Sequence, residues 1–395
     1  MENWDVVILG AGAAGLFCGG SLRELAPHLR VLLLDHASRA GEKIRISGGG
    51  RCNFTNLATQ PSRFHSANPR FAASALAGYT PEDFVALVER AGIAWHEKTA
   101  GQLFCDGKST QIIGMLHRRM AGVEMRLGVA VEGVAPRPNG FKVSTSSGAI
   151  TASRVVLATG GKSIPKMGAS PVGYAIAESL GLRLTETRPG LVPMTFAEQD
   201  LDLCRPLAGI SVEATVTVGR TSFRDALLFT HRGLSGPVIL QASSLWLPGQ
   251  PVVIDLAPDA GLAARLREAR GATPRRAVAT VLGSVLPERL AQAIAGDGDS
   301  GARIGAMGNA AAEALAARVH RWQIRPVGTE GYRTAEVTMG GVDTRDLDAR
   351  TLQVRKVPGL HIIGELVDVT GWLGGYNFQW AWASAHAAAK AIAAG

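Results

Sequence analysis

Residues 4–15 read Trp-Asp-Val-Val-Ile-Leu-Gly-Ala-Gly-Ala-Ala-Gly, an apolar run that passes directly into three closely spaced glycines. The apolar run at 4–9 predicts a short buried strand, and residues 13–26 predict a helix. Residues 30–34, Arg-Val-Leu-Leu-Leu, predict a second buried strand that is closed by Asp35. Strand, helix and strand within about 30 residues are typical of a parallel βαβ unit, whose crossover is almost always right-handed.

The three glycines form the pattern Gly-x-Gly-x-x-Gly between the predicted strand and the predicted helix. In this context Gly10 permits a tight turn, Gly12 lets the backbone approach a pyrophosphate, and Gly15 allows close helix packing. The free N–H groups at the helix N-terminus favour a phosphate at the same place. The alternative interpretation is a glycine-rich turn without a ligand. The predicted dinucleotide contacts in this segment are Gly10, Gly12, Ala13, Ala14, Gly15 and Asp35.

Asp35 and the C-terminal part of the chain indicate which dinucleotide is bound. Asp35 lies 20 residues beyond Gly15, where a carboxylate accepts hydrogen bonds from ribose hydroxyls and disfavours a 2′-phosphate, so FAD or NAD is expected rather than NADP. No second Gly-x-Gly-x-x-Gly follows a predicted strand, but a predicted strand at 359–363 leads into a glycine-rich turn and a helix. Such a turn suits the ribityl hydroxyls and the C2 carbonyl of a flavin, which favours FAD. The predicted flavin contacts there are Gly364, Glu365, Asp368, Gly374, Gly375, Tyr376 and Asn377.

The composition excludes several classes of protein. The chain has 395 residues, of which 46% are hydrophobic, enough for about two or three folded domains and too many for a disordered chain. No uninterrupted apolar stretch of about 18 residues is present, so no membrane span is predicted. The N-terminal segment does not resemble a signal peptide, and we expect a cytoplasmic protein. Cys18, Cys52, Cys105 and Cys204 show no paired spacing, so neither a disulfide framework nor a metal site is predicted.

The texture of the sequence changes from about residue 190. Segments 212–218, 223–229 and 251–256 predict short strands, and residues 260–320 are rich in Ala, Leu and Arg at helical spacing. Strands are predicted again at 322–327 and 333–338. The order is therefore β-rich, helical and β-rich between two parts with the dinucleotide motifs.

Several longer motifs follow one another along the whole chain and are more specific than the glycine pattern. They are Ser-Gly-Gly-Gly-Arg-Cys-Asn at 47–53, Thr55-Asn56, Ala158-Thr159-Gly160-Gly161, Phe-Thr-His-Arg-Gly-Leu-Ser-Gly-Pro at 229–237, the segment 337–342 and the segment 364–379. With these motifs the sequence resembles the BaiN/RdsA family of NAD(P)/FAD-dependent oxidoreductases, which includes aminoacetone-oxidase-like flavoproteins. One departure is the run Ala-Ser-Pro-Val-Gly-Tyr at 169–174, which lacks an acidic residue that many members carry there.

The resemblance implies an α/β fold with nested insertions. A Rossmann-like FAD-binding domain at 1–190 and 339–395 would carry an inserted β-barrel domain at 191–256 and 322–338. The barrel would itself carry an inserted helical subdomain at 257–321. The β-rich, helical, β-rich order of the sequence fits this arrangement.

The motif at 47–53 extends the candidate site. Its three glycines let backbone N–H groups line a surface that faces an anion or a flavin, and Arg51 adds positive charge; a flexible loop is the alternative. The further cofactor contacts predicted from the motifs and the resemblance are Lys43, Ser47, Gly48, Gly49, Gly50, Arg51, Cys52, Asn53, Ala158, Thr159, Gly160 and Gly161.

Two residues are candidates for a catalytic role. Cys52 is either a redox-active thiol or a small packing residue near the flavin, and it has no second thiol at short spacing as a disulfide reductase would need. His231 precedes a Gly-Leu-Ser-Gly-Pro turn, where it either protonates a substrate or serves as a structural histidine at a domain junction.

The positive charge of the chain is concentrated in the predicted helical subdomain. The whole chain carries a formal charge of +8, and the segment 257–325 holds ten arginines, no lysine and six acidic residues. This segment is either a solvated helix face or a surface that contacts RNA or another polyphosphate.

These observations predict an FAD-dependent oxidoreductase that passes hydride from NADH or NADPH through flavin N5 to an electron-poor C=C bond. With one cradle, the nicotinamide is expected to bind transiently. Three alternatives remain: an rRNA dihydrouridine synthase that acts on a uridine of large-subunit rRNA, an aminoacetone-like amine oxidase that uses O₂, and a non-catalytic flavin-binding sensor or RNA-binding scaffold. The substrate is accordingly a small molecule or RNA, and the sequence carries no signal of an oligomeric state.

Overall fold

A computed structural model describes residues 2–296 and 302–395 of the chain. The segment 297–301, with two of the six acidic residues of the arginine-rich segment (Asp297 and Asp299), lies outside the described residues. The helices are α1 (Ala13–Leu25), α2 (Glu42–Ile46), α3 (Ala73–Gly78), α4 (Pro81–Arg90), α5 (Thr110–Arg119), α6 (Val172–Ser179), α7 (Leu201–Cys204), α8 (Pro237–Ser243), α9 (Leu262–Ala272), α10 (Val278–Leu282), α11 (Glu288–Ala295), α12 (Asn309–His320) and α13 (Tyr376–Ala393). None of the helices in this described part combines the length and apolar character needed to cross a membrane.

The strands are short apart from those of two sheets. They are β1 (Asn3–Leu9), β2 (Val31–Asp35), β3 (Asn53–Asn56), β4 (Phe64–His65), β5 (Trp95–Glu97), β6 (Gln102–Cys105), β7 (Glu124–Leu127), β8 (Val131–Arg137), β9 (Gly140–Thr145), β10 (Gly148–Leu157), β11 (Arg188–Gly190), β12 (Met194–Thr195), β13 (Ser211–Val218), β14 (Thr221–Thr230), β15 (Gly233–Ser235), β16 (Val252–Asp255), β17 (Trp322–Ile324), β18 (Gly328–Thr329), β19 (Val337–Met339), β20 (Leu360–Ile362) and β21 (Thr370–Gly371). The strand predicted at 333–338 is wrong over most of its length, because a turn at Gly331 accepts the N–H groups of Thr334 and Ala335 and delays the strand to Val337.

The chain divides into two compact units, which we call the first and the second unit. The first consists of Met1–Arg188 and Glu336–Gly395, and the second of Pro189–Ala335. The first unit is therefore discontinuous in sequence, with the second unit inserted into it. The finer division of the second unit into a barrel and a helical subdomain stays a prediction.

The central sheet of the first unit confirms the predicted βαβ unit. Its strand order is β7-β2-β1-β10-β9-β8, and β20 pairs with the last residues of β10, on the edge whose first part pairs with β9. The pairs β7–β2, β2–β1, β1–β10 and β10–β20 are parallel, whereas the pairs β10–β9 and β9–β8 are antiparallel. Residues 6–9 of β1 are fully buried, as expected for a parallel strand that is covered on both faces. The carboxyl ends of these strands therefore lie together at one edge, where ligands bind in such sheets.

Helices α1 and α13 pack against each other in the core of the first unit. Trp382 of α13 contacts Phe17 of α1 at 5.4 Å between ring centroids, and it stacks on Phe84 at 4.5 Å. Its Nε1–H donates to the Phe54 carbonyl at 2.8 Å. This buried anchor fixes the N-terminal ends of both helices near the carboxyl edge of the sheet.

The second unit is built on one antiparallel sheet with helices. The strand order is β17-β16-β13-β14-β15-β12-β18. Along β13, residues 214, 216 and 218 are buried and alternate with more exposed ones, which is the pattern of a sheet that covers a core with one face. Helices α9 to α12 follow β16 and precede β17.

Candidate active site

The glycine pattern forms a cradle between β1 and α1. Gly10 has φ +116°, and a Cβ there would overlap the carbonyl oxygen of Ala158 on the neighbouring strand. A Cβ at Gly15 would overlap the Gly10 carbonyl, so both positions need glycine for the chain itself. A Cβ at Gly12, by contrast, would meet no atom within 4 Å. The open side of the cradle is therefore at Gly12 and the N-terminus of α1, where Ala13 and Ala14 provide the first turn.

Asp35 lies at the cradle, as its position at the end of β2 predicts. Its Oδ2 accepts a hydrogen bond from the Ala11 N–H at 2.6 Å, and its Oδ1 accepts one from the Ala37 N–H at 2.8 Å. The carboxylate therefore braces the glycine turn with one oxygen. Each oxygen keeps a second lone pair with which it can accept from a ribose hydroxyl.

The segment Ser47–Asn53 forms an exposed turn beside β3. Residues Ser47–Gly50 make a tight turn in which Gly48 and Gly49 adopt left-handed conformations, with φ of +56° and +65°. Gly49 is exposed, and a Cβ at Gly49 or Gly50 would meet no atom within 4 Å. The turn is held by its own chain, because the Ser47 hydroxyl donates to the Ile44 carbonyl at 2.7 Å. Arg51 is exposed. The geometry suits the predicted ligand-facing surface and leaves the contact itself a prediction.

Cys52 is buried beneath this turn. Its side chain has no exposed surface, and burial raises the pKa of the thiol to about 12. The thiol is therefore protonated at neutral pH and does not supply the thiolate that redox or nucleophilic chemistry needs. These observations favour the packing role over the catalytic one. Cys18, Cys105 and Cys204 are also buried and free.

A polar network connects four segments that carry the motifs. Glu365 Oε2 lies 2.6 Å from Lys43 Nζ, and Glu365 Oε1 accepts from the Thr338 N–H at 2.9 Å. The Thr338 hydroxyl accepts in turn from the Lys162 N–H at 2.8 Å and lies 3.1 Å from the Ser163 hydroxyl. Lys43 and Glu365 are thus paired with each other. Thr338 joins them to the segment after Gly161, a connection that the sequence reasoning missed although the motif at 337–342 contains Thr338.

The segment Ala158-Thr159-Gly160 provides a test of whether a ligand fits this site. Ala158 lies against the cradle, since its N–H donates to the Leu9 carbonyl at 2.8 Å. Thr159 Oγ1 is buried and has no hydrogen-bond partner among residues 2–296 and 302–395. A buried hydroxyl without a partner is rare in a folded protein. Together with the open space at Gly12, it fits a bound dinucleotide.

The space beside the turn before α13 is filled by other parts of the chain. A Cβ at Gly375 would overlap the Thr55 carbonyl, and one at Gly374 would lie 2.8 Å from Cδ of Gln102. The Asn377 amide closes the turn, because Oδ1 accepts from the Gly371 N–H at 2.8 Å and Nδ2 donates to the Gly371 carbonyl at 2.9 Å. The predicted flavin contacts of Gly374, Gly375 and Asn377 stay predictions, since the geometry already gives each a structural task.

The remaining predicted residues of this turn are mostly buried. Gly364 lies near α1, where a Cβ on it would come within 2.9 Å of the Ala14 Cβ. Asp368 accepts from the Ala67 N–H at 2.9 Å, and burial raises the pKa of its carboxyl. Tyr376 packs edge-on against Phe64, and burial raises the pKa of its phenol.

His231 belongs to the second unit. It lies on an exposed turn between β14 and β15. Its predicted role in substrate protonation stays a prediction. No group of three or more His, Cys, Asp or Glu side chains that could hold a metal ion occurs in the described ranges 2–296 and 302–395.

Sequence reasoning missed the segment 63–65, which lies beside the turn before α13. The Arg63 guanidinium stacks over the Trp372 ring at 4.1 Å, and the backbone N–H of Trp372 donates to the Arg63 carbonyl at 3.0 Å. His65 pairs with Thr370 across the β4–β21 ladder. No local pattern marks this segment, because its place depends on pairing with residues far along the chain.

Comparisons with known proteins give consistent matches. A family model described as HI0933-like protein Rossmann domain matches residues 4–391. An Escherichia coli protein described as ribosomal RNA dihydrouridine synthase is 48% identical over 398 residues, which cover 100% of this chain and 99% of the relative. A Clostridium scindens protein described as 3-dehydro-bile acid delta(4,6)-reductase is 28% identical and covers 98% of both chains. A solved structure of mutant E. coli quinol fumarate reductase FrdA is similar in fold, with a TM-score of 0.52 at 15% identity over 100% of this chain and 71% of that chain.

Proposed function

Because this chain belongs to the HI0933-like Rossmann-domain family of flavin-dependent oxidoreductases, we propose that it reduces the C5–C6 double bond of a uridine in ribosomal RNA. The BaiN/RdsA resemblance and the α/β, Rossmann-like FAD-binding fold are confirmed by this membership. The observation that carries the proposal is the 48% identity to the E. coli dihydrouridine synthase, which extends over essentially the full length of both chains. The inserted unit is therefore shared as well as the Rossmann unit. With ribosomal RNA as substrate, we expect the enzyme to act in the cytoplasm.

The residues of the first unit would hold FAD, which supplies hydride transfer from N5 of its ring when it is bound. The N–H groups at the start of α1 would bind the pyrophosphate at the open side of the cradle. Asp35 would accept from the ribose while it braces the turn through Ala11. The Lys43–Glu365 pair would hold the two glycine-rich segments in a fixed position relative to each other. NADH or NADPH is the proposed electron donor.

The charge of the second unit supports an RNA substrate. Six arginines of the segment 257–325 are exposed, and their guanidinium groups form neither an ion pair nor a hydrogen bond with any residue in the described part of the chain. Arginines without a carboxylate partner are available to neutralise phosphates. These six are Arg275, Arg276, Arg303, Arg318, Arg321 and Arg325.

One cleft of the second unit combines such arginines with an aromatic ring. Arg318, Arg321 and Trp322 line a space of about 370 Å³ together with apolar residues. Guanidinium groups bind phosphate oxygens, and an indole can stack on a base. Arg267, which is paired with Glu313, offers a matched comparison on the neighbouring helix.

The test of the proposal is the formation of dihydrouridine in ribosomal RNA that lacks it. The purified holoenzyme is incubated anaerobically with this RNA and with NADH or NADPH, and the digested nucleosides are analysed by mass spectrometry. We expect a nucleoside about 2 Da heavier than uridine at one site, since two hydrogens are added across the double bond. RNA that stays unchanged while the flavin is reduced would contradict the proposal.

The RNA-facing surface is tested separately by binding. The double variant Arg318→Ala/Arg321→Ala is expected to weaken RNA binding and to lower the magnitude of the log Kd against log[salt] slope by roughly 1 to 2, as loss of two phosphate contacts requires. Arg267→Ala is expected to leave the slope nearly unchanged, because its charge is already compensated by Glu313. Equal slopes for the native protein, the double variant and Arg267→Ala would show that Arg318 and Arg321 lie on a solvated face that does not contact RNA.

A second candidate function is reduction of a conjugated C=C bond in a small molecule. It is favoured by the match to the bile acid reductase over 98% of both chains, although at a lower identity of 28%. Reoxidation of the reduced enzyme by a cyclic enone but not by RNA would favour this candidate. Rapid reoxidation with O₂ together with turnover of an amine would favour the oxidase. Membership in a family of oxidoreductases leaves the non-catalytic sensor without support.

A further inference from the structure

His65 occupies a defined position beside the candidate flavin site. It lies in β4, directly opposite Thr370 of the antiparallel strand β21. Side chains directly opposite each other in such a pair lie on the same face of the ladder. The Thr370 hydroxyl donates to the Thr338 carbonyl at 3.3 Å, and Thr338 is the centre of the polar network that includes Glu365. The imidazole of His65 is therefore on the side of the ladder that faces this network.

One nitrogen of His65 lacks a partner. Nε2 is buried and forms no hydrogen bond with any residue that the structure describes. Buried polar groups in folded proteins nearly always have a partner, and where the protein supplies none a ligand is the natural candidate. Burial, together with the positive charge of Arg188, lowers the pKa of His65. The imidazole is therefore neutral at pH 7, and its N–H can donate a hydrogen bond without carrying a full charge.

The surroundings of His65 along the chain suit a flat, carbonyl-bearing ligand. Two residues before it, Arg63 stacks on Trp372. The adjacent Phe64 packs edge-on against Tyr376 at 6.0 Å between ring centroids. Both aromatic partners belong to the turn that the sequence places beside the flavin. Because successive residues of a strand point to opposite faces, Arg63 and His65 lie on one face of the ladder and Phe64 on the other. The segment thus brings a cation stacked on an indole and an unpaired imidazole nitrogen to one face.

We propose that His65 donates a hydrogen bond from Nε2–H to the carbonyl oxygen that is conjugated with the C=C bond being reduced. This inference rests on the proposed function. A uracil ring has such a carbonyl at C4, conjugated with its C5–C6 double bond. When hydride arrives at the β-carbon, the electron pair of the double bond moves towards the carbonyl oxygen. A proton from water is then taken up at the α-carbon, and the carbonyl is restored.

A neutral donor suits this step for a physical reason. Negative charge develops on the oxygen only as the hydride is transferred, so a hydrogen bond to that oxygen is stronger in the transition state than in the bound substrate. A neutral imidazole supplies such a donor without forming a fixed ion pair in the ground state. His65 would therefore lower the barrier of the oxidative half-reaction and leave reduction of the flavin by the nicotinamide unaffected.

The experiment compares three acceptors in the oxidative half-reaction. Holoenzyme reduced anaerobically with one equivalent of dithionite is mixed in a stopped-flow instrument with unmodified ribosomal RNA, with cyclohexenone or with ferricyanide. Ferricyanide takes electrons without forming an enolate, so it needs no donor to a carbonyl oxygen. One of the two carbonyl acceptors, ribosomal RNA or cyclohexenone, is expected to reoxidise the native enzyme. His65→Ala is expected to slow reoxidation by that acceptor by about 100-fold to 1000-fold, the range for loss of one oxyanion donor. The rate with ferricyanide is expected to stay within about twofold of that of the native protein, because this acceptor needs no such donor.

Two variants guard against a merely structural effect. His65→Gln keeps an N–H donor and is expected to recover part of the rate. His28→Ala removes an exposed histidine in the turn between the C-terminus of α1 and the start of β2, at the opposite end of both elements from the cradle and Asp35, and is expected to behave like the native protein. Loss of bound flavin, or equal slowing with all acceptors, in the His65 variants would overturn the proposal in favour of a role in holding the cofactor or the fold.

The same data separate this proposal from the one on which it rests. An unchanged rate with the carbonyl acceptor in His65→Ala would overturn the role of His65 and leave the proposed function intact. A native enzyme that reacts with ferricyanide and with neither carbonyl acceptor would overturn the proposed function, and the role of His65 would fall with it.

Discussion

Two glycine-rich turns in the first unit each lead into a long helix, yet they are built for different purposes. The cradle at residues 10–15 leads into the first turn of α1, and the turn at residues 371–377 leads into the first turn of α13. In the cradle, the position of Gly12 opens onto free space. In the second turn, the space beside Gly375 is filled by the Thr55 carbonyl of β3. The first turn is shaped to receive a ligand, whereas the second is shaped to receive another part of the chain.

The difference shows that a glycine before a helix does not by itself indicate a ligand. Gly10 and Gly375 both adopt positive φ and both lie against a backbone carbonyl. Gly12 has φ −80°, which any residue can adopt. A glycine that the backbone does not need, beside open space at a helix N-terminus, is therefore the more informative sign of a bound phosphate.

The largest effect is expected for Gly375→Ala. The substitution requires a left-handed conformation and a Cβ in the place of the Thr55 carbonyl, so the free energy of unfolding should fall by about 3 kcal/mol or more. Urea unfolding of the apoprotein measures the change. Gly128→Ala is the matched control, because Gly128 has φ +73° with no atom near its Cβ position, and it should cost only about 1 to 2 kcal/mol. Equal losses for the two variants would show that the close approach of the Thr55 carbonyl adds nothing to the cost of the left-handed conformation.

The reverse pattern is expected for Gly12→Ala. Its φ and the open space predict an apoprotein that unfolds within about 1 kcal/mol of the native one, whereas the added methyl group blocks the approach of a pyrophosphate. The Kd of FAD should rise by about 100-fold, which is close to 3 kcal/mol. Fluorescence titration of the apoprotein with FAD measures it. An unchanged Kd would mean that the open side of the cradle is not the phosphate site.

The fold of the first unit could be predicted from local sequence more completely than the site. The largely apolar strand at 4–9 and the glycine pattern at 10–15 act within a few residues, so they indicated β1, α1 and the turn between them correctly. His65 could not be found in this way, because its place depends on the pairing of β4 with β21 far along the chain. The Asn377 amide is the opposite case, because the sequence suggested a ligand contact where the folded turn shows a structural role. Its residue type suits a flavin contact, but only the folded turn shows that Gly371 uses both ends of the amide.

Asn377 gives an intermediate effect that tests the structural interpretation of the second turn. Asn377→Ala removes two partly buried hydrogen bonds to Gly371, and the free energy of unfolding should fall by about 1 to 3 kcal/mol. Asn377→Asp keeps the acceptor for the Gly371 N–H but sets a carboxylate oxygen against the Gly371 carbonyl, so it should lose at least as much as Asn377→Ala. The flavin absorption spectrum of the holoprotein should be unchanged in both variants. A shifted flavin spectrum in a variant whose free energy of unfolding is close to that of the native protein would indicate that Asn377 contacts the flavin.

The smallest effect is expected for the ion pair that connects the two turns. Lys43 lies on α2, whose start is tied to the cradle by the hydrogen bond from the Gly41 N–H to the Ala11 carbonyl, and Glu365 lies in the segment that leads to the second turn. The two side chains are 32% and 22% exposed, so solvent screens their attraction and a coupling energy of about 1 kcal/mol is expected. A double-mutant cycle with Lys43→Met and Glu365→Gln measures the coupling in unfolding of the apoprotein and in FAD binding. If the pair only stabilises the fold, the coupling appears in unfolding alone; if it holds the two turns in the geometry that FAD requires, it appears in binding as well. Coupling in neither measurement would show that the cradle and the second turn are independent parts of the site.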